Sequence, residues 1–232
     1  MKLIKVLFIV ILASVSVTRG QSLNGMTGLF NIPTADLAAD GTIYLGANYL
    51  ERNHLKYSNG VRDVIAPFIT ISFLPFIEAS FRITRQLNYP YERGHVMDRM
   101  FSGRIRFFDE TNNLPSITLG LHNPYSTDPS AKHFTSTYLV ISKNFNFNSP
   151  FNRIHFTLGY GSDIIDAADH QYVGIFGGFS VTLIEMLELM GEYDAERFNA
   201  GMRITLFNHI KLLGGFMDMK HFSGGASVSF VL

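Results

Sequence analysis

From about residue 40 onward, apolar and polar residues alternate along the chain with a period of two. Phe198, Ala200, Met202 and Ile204 interleave with Asn199, Gly201, Arg203 and Thr205. Ile77, Ala79, Phe81 and Ile83 interleave with Glu78, Ser80, Arg82 and Thr84. Ile117, Leu119 and Leu121 do the same with Ser116, Thr118, Gly120 and His122, as do Phe222, Gly224, Ala226, Val228 and Phe230 with the serines and the glycine between them. One apolar and one polar face per segment predicts strands that separate two different solvents. The pattern predicts about twelve strands, an even number inside the range of bacterial barrels. They fall near 42–49, 66–73, 77–84, 101–108, 116–122, 136–144, 153–160, 172–180, 187–194, 198–205, 210–218 and 222–231. Several are shorter than the roughly nine to eleven residues a membrane-crossing strand needs, so their ends should extend into the adjoining links.

The links carry a second pattern. Short ones at 74–76, 145–152 and 206–209 alternate with longer ones at 50–65, 85–100, 123–135 and 161–171, and after residue 180 all become short. Outer-membrane barrels have short periplasmic turns and longer external loops. One stretch is ambiguous: Val181, Ile184, Leu187 and Met190 recur at intervals of three, which also suits an amphipathic turn of helix. No stretch after the N-terminal twenty residues has the uninterrupted apolar length of a transmembrane helix.

Residues 1–20 follow a different rule. Lys2 and Lys5 precede an apolar run from Val6 to Val17, and Thr18 and Gly20 are small at the −3 and −1 positions of a cut before Gln21. This is the layout of a cleaved signal peptide; an uncleaved anchor is the alternative. The mature chain, 21–232, is then one barrel domain. Its terminal strand, ending Phe230-Val231-Leu232, resembles the signal read by barrel-assembly machinery, with its glycine displaced to Gly225.

Composition sharpens the choice between a membrane barrel and a soluble one. Hydrophobic residues make up 47 % of the 232, charged residues only 16 %, and there are 21 phenylalanines but no tryptophan. A soluble sandwich or barrel should turn many lysines and glutamates to water. The second face here is serine, threonine, glycine and asparagine with a few arginines and glutamates, which suits a narrow polar lumen. The expected fold class is thus all-β, a transmembrane antiparallel barrel in the outer membrane of a Gram-negative bacterium, with lipid as its first partner. A formal net charge of zero argues against nucleic acid. No cysteine is present to form a disulfide, act as nucleophile or be acylated.

The chain resembles the YjbH-like family of outer-membrane barrels at TGLFNIPTADLAADGTIYLG (Thr27 to Gly46), FLPFIEASFRITR (Phe73 to Arg85) and DRMFSGRIRFFDE (Asp98 to Glu110). It continues to do so at LPSITLGLHN (Leu114 to Asn123), YLVISKNF (Tyr138 to Phe145) and EYDAERFNAGMRI (Glu192 to Ile204). The Pro-Thr-Ala and EYD…RFNAG stretches are the most specific. The resemblance implies a barrel that assists exopolysaccharide biosynthesis, export or surface assembly, with exopolysaccharide and periplasmic polysaccharide-export proteins as partners. A porin-like or structural barrel without carbohydrate specificity is the alternative, and an outer-membrane hydrolase is third.

Candidate chemistry is sparse. The eight histidines lack metal-site spacing, so no metal and no cofactor is expected. His54, His95, His133 and His170 fall in long links and read as solvated. Ser136, His155 and Ser162 are the residues a wall-borne hydrolase would draw on, though no motif marks them and no enzyme is expected. Gly177-Gly178 and Gly224-Gly225 fall inside strands and read as allowing curvature. Arg85, Tyr89, Tyr91 and Arg93 on the second long link could meet a glycan, rings on its apolar face and guanidiniums on acidic groups. An interfacial aromatic belt is the competing reading. Glu78, Arg82, Arg104, Arg106, Glu188 and Arg203 are expected as structural charge pairs in the lumen. A hairpin with Ala195-Glu196 as its loop puts Glu188 opposite Arg203 and Glu192 opposite Asn199. A slip of one residue would turn one strand's charges toward lipid.

Overall fold

The computed structural model describes residues 20–57, 60–88, 97–125, 134–147 and 153–232. The wall is built from β1 (Thr42–Leu50), β4 (Val64–Phe73), β5 (Ile77–Gln86), β6 (Met97–Phe108), β7 (Ser116–His122) and β8 (Ser136–Asn146). It continues through β9 (Arg153–Ser162), β10 (Gly174–Ile184), β11 (Leu187–Tyr193), β12 (Phe198–Leu206), β13 (Ile210–Met217) and β14 (His221–Val231). Two short strands, β2 (Lys56–Tyr57) and β3 (Gly60–Val61), form a small hairpin of their own. Wall strands pair antiparallel with their sequence neighbours, and β1 closes the barrel on β14 with Ile43 opposite Phe230.

These are the twelve segments that alternation marked; several are lengthened, whereas β7 keeps its 7 residues, β11 and β13 end one residue earlier at Tyr193 and Met217, and β10 is shifted to Gly174–Ile184. β6 starts at Met97 and β4 at Val64, which brings both to membrane-crossing length. β4 shows the alternation at its cleanest: Val64, Ala66, Phe68, Thr70 and Ser72 are buried inside, while Ile65, Pro67, Ile69, Ile71 and Phe73 face out. Pro67 has no N–H to give, and the ladder to β5 skips from Ile65 to Phe68 around it.

The helical alternative at 181–190 is not taken. Val181 pairs with Leu189 and Thr182 with Glu188 across a turn at 185–186, so the stretch is two strands. Its apolar residues do not share one face: Met190 is buried in the lumen whereas Leu189 looks outward. Among the described residues, no helix is long and apolar enough to cross a membrane.

The narrow polar lumen expected from the sequence is filled by protein. Residues 20–38 lie inside the barrel, every one buried, as a compact plug of turns held by the bridges Gln21–Thr27 and Gly28–Pro33. Leu23, Leu29, Phe30, Ile32 and Ala35 of this plug join inward residues such as Tyr138, Val140, Phe176 and Met190 in an apolar core. The polar face of each strand therefore meets protein rather than water over this depth.

Candidate functional site

A segment without regular structure brings many backbone N–H and C=O groups into the interior, and each needs a partner. The wall supplies them. The Glu192 carboxylate accepts from the backbone N–H of Phe30 (3.0 Å), Asn31 (2.8 Å) and Ile32 (3.3 Å), steadied by Asn199 Nδ2 at 3.1 Å. Arg203 donates to the carbonyls of Gly28 (2.7 Å), Leu29 (3.0 Å) and Gln21 (3.2 Å), and its other guanidinium nitrogen meets Glu188 at 2.6 Å. Arg104 pairs with Glu78 at 2.7 Å, both side chains fully buried, and donates to the carbonyls of Thr34 and Asp36. Glu78 in turn accepts from the N–H and hydroxyl of Thr27 and from the N–H of Ala38. Arg82 donates to Asn24 Oδ1 at 2.6 Å, Thr70 to the Gly25 carbonyl, and Thr118 to that of Ala35, whose N–H goes to Ser142. His155 Nε2 stands 3.0 Å from the Asp36 carboxylate.

Shape adds to these bonds. Phe30 fills the space over Gly201 and Gly215; a Cβ on either would come within 2.6 or 2.9 Å of its ring. Glycine is needed at both places for close approach rather than for curvature.

Of the six charged residues expected in the lumen, Glu78, Arg82, Arg104, Glu188 and Arg203 line the plug. The β11–β12 register does put Glu188 opposite Arg203 and Glu192 opposite Asn199. Arg106 keeps the inward face, opposite the buried Thr118, but sits at the short-turn rim, bonded to the Pro75 carbonyl (2.6 Å) and to Asp109 (2.5 Å). The bulge follows it, between Arg106 and Phe108, and there Phe107 and Phe108 are both exposed. The Ala195-Glu196 loop closes with Ala195 at φ 78°, and Asp194 Oδ1 accepts from the N–H of Glu196 and Arg197. That carboxylate holds a turn whose residue types do not favour it.

At the long-loop end a cavity of 110 Å³ lies between the plug and the loops, with Asn31, His54, Gln171, Tyr172, Asp194 and Arg197 among its walls. His54 is not solvated, contrary to expectation: it is 6 % exposed, because the chain after β1 folds into the barrel mouth. Burial and the guanidiniums of Arg82 and Arg197 hold its pKa down at about 3. Burial also pushes the Tyr172 hydroxyl well above its ordinary range; it donates to the Asn31 carbonyl at 2.9 Å.

The other candidates are not drawn together. Arg85 faces outward on β5 opposite Met97, while Tyr89, Tyr91 and Arg93 lie outside the described residues, as do His95 and His133. His155 sits opposite Asn144 near the short-turn end of β8, whereas Ser136 and Ser162 are at the other end. Among the described residues no group of three acidic or histidine side chains is arranged to hold a metal.

Glu192, Asp194 and Asn31 went unnoticed as site residues in the sequence. One signal could have found Glu192: it faces inward, yet its partners across the ladders are Gly178 and Asn199, neither of them a cation. A carboxylate placed so needs donors from somewhere other than the wall.

Residues 20–210, plug included, match the family YjbH, described as exopolysaccharide biosynthesis protein YbjH. No curated protein matches the chain. With most of its length covered, and with a closed twelve-strand barrel behind the match, the chain belongs to the YjbH family of exopolysaccharide biosynthesis proteins.

Proposed function

We propose that this protein is an outer-membrane barrel that assists export or surface assembly of an exopolysaccharide, and that its own N-terminal segment keeps the barrel shut. The observation that carries the membrane reading is the outer face. Leu45, Ile69, Phe81, Phe101, Leu139 and Phe179 are all exposed there, on strands whose charged residues turn mainly inward. Large contiguous apolar surface on a lone soluble chain would be an aggregation hazard; in a bilayer it is the required band. Residues 1–20 act as the export signal, and a cut before Gln21 keeps all of the plug except Gly20. The export role rests on family membership. Periplasmic export proteins are the partners such a barrel needs at its short-turn end.

The filled lumen favours a shut conduit over a general porin. The test has two parts. Mature protein should fractionate with the outer membrane and stay silent in planar bilayers, and deleting the gene should reduce surface polysaccharide while sugar-nucleotide pools persist. Unchanged surface polysaccharide under conditions of expression would sink the export role, and steady wild-type conductance would sink the shut barrel.

A further inference from the structure

The cavity at the long-loop mouth holds a group that the fold leaves unsatisfied. His54 is buried there, and neither ring nitrogen has a hydrogen-bond partner. Gln171 Oε1, on the same wall, makes no close hydrogen bond, its side-chain neighbour being His122. The charged groups around them are engaged. Asp194 accepts four hydrogen bonds, from Glu196 N, Arg197 N, Asn31 Nδ2 and Asn199 Nδ2. Arg197 donates to the Asn53 carbonyl and to Glu196. What is left for a ligand is one imidazole, with a donor and an acceptor, and one amide oxygen.

That inventory selects a chemistry. With a pKa near 3 the imidazole is neutral, so it adds no charge to attract an anion. The carboxylates of Asp169, Asp194 and Glu196 on the cavity wall disfavour an anion further. A metal cation would need three or more ligands, and no such group exists among the described residues. A hydroxyl donates and accepts at once, matching both faces of the imidazole. Phe134 and Met217, buried and lining the same space, offer an apolar wall suited to a C–H surface. The 110 Å³ equals the liquid share of about three or four waters, room for the hydroxyl-bearing edge of one sugar ring.

We infer that this cavity binds a small neutral polyhydroxyl unit, a terminal or single residue of a neutral glycan, with His54 and Gln171 bonding its hydroxyls. Calling the ligand a glycan rests on the polysaccharide role proposed above. The hydroxyl selectivity rests on the cavity alone. Asn31 belongs to the plug, so the ligand would touch the plug and the mouth together.

Folded mature protein carrying ¹⁵N-histidine, in detergent micelles, is titrated with glucose, galactose and mannose, and separately with glucuronate, glucosamine and inorganic phosphate. At least one neutral sugar should shift the His54 imidazole resonances saturably, and each charged probe should bind about tenfold more weakly or less. In the variants binding is read from the imidazole of His170 on the same cavity wall, where His54→Phe should lose the response. His54→Gln, which keeps a donor and an acceptor, should retain most of the affinity, with heat-modifiable gel migration checking that both variants fold. If neither variant folds, the wild-type panel decides alone. No saturable shift with any neutral sugar, equal binding of glucuronate or phosphate, or undiminished binding by folded His54→Phe overturns the site. Loss of surface polysaccharide on gene deletion without sugar binding removes the site and spares the export role; binding with unchanged polysaccharide does the reverse.

Discussion

Leu158 on β9 and Glu192 on β11 both sit on wall strands, and they answer to different constraints. Leu158 is 53 % exposed and faces outward between Ile141 and Gly177 of the neighbouring strands. Any apolar residue of similar bulk would serve there, because a side chain that exposed meets few fixed neighbours. Glu192 faces inward and holds three consecutive backbone N–H groups of the plug. No other side chain presents two acceptor oxygens at that reach with that charge. The outside is specified by a property and the inside by positions. It follows that the outer face should tolerate many substitutions and reject only charge, while the lumen should reject even small polar changes.

The comparison breaks most sharply at Glu78. Replacing it by alanine leaves Arg104 buried without its carboxylate and takes acceptors from Thr27 and Ala38. Breaking a buried pair in this way costs about 3–5 kcal/mol. Urea unfolding of E78A in lipid vesicles should show that loss, residues 21–40 should become protease-sensitive, and conductance should appear in planar bilayers. A variant as stable and silent as wild type would mean that the plug does not depend on the wall.

Leu158→Arg probes the other region. In a bilayer, an arginine near mid-depth on the lipid face costs about 2–4 kcal/mol. On a water-facing surface the same change would stay within about 0.5 kcal/mol. Folding yield and urea midpoint in vesicles should therefore fall, with the plug still protected from protease. A neutral result would remove the membrane from the account of the outer face.

The two regions also differed in how far the sequence disclosed them. Period two exposed the wall almost completely, since alternation is local and both solvents act on every strand. The Glu188–Arg203 register was accessible for the same reason: only that pairing keeps both strands' charges on one side. The plug lacks the strand period. Leu23, Met26, Leu29 and Ile32 recur every three residues as a helix stripe would, yet the segment is turns, and the polar residues between them are buried too because it packs outward in every direction against a surrounding wall. Its presence could be suspected only indirectly, from inward charges such as Glu192 that no strand neighbour neutralises and from the specific TGLFNIPTAD stretch lying outside every strand. His54 was misread because loop membership usually implies water, and nothing in 51–55 announces that the chain dips into the mouth.

The rim between the two regions should respond least, and its response should depend on pH. Glu110, in the β6–β7 turn, accepts from Asn144 N (2.9 Å) and Asn144 Nδ2 (2.6 Å) and lies 3.2 Å from the Lys143 ammonium. Partial burial works to raise its pKa, but the Asn144 hydrogen bonds and Lys143 outweigh it and hold the carboxyl below the ordinary glutamate value. A folded pKa below the unfolded one makes the contribution to stability complete above the unfolded value of about 4.3. The contribution is then lost as pH falls through the lower folded value. Glu110→Gln should thus cost under about 1 kcal/mol at neutral pH, in keeping with a pair open to solvent. The gap to wild type should close as unfolding is measured at successively lower pH below 4.3, where Glu110 itself becomes neutral. A gap of constant size across that range would assign the effect to the shape of the turn, and the rim would then follow the positional rule of the lumen instead of a screened charge.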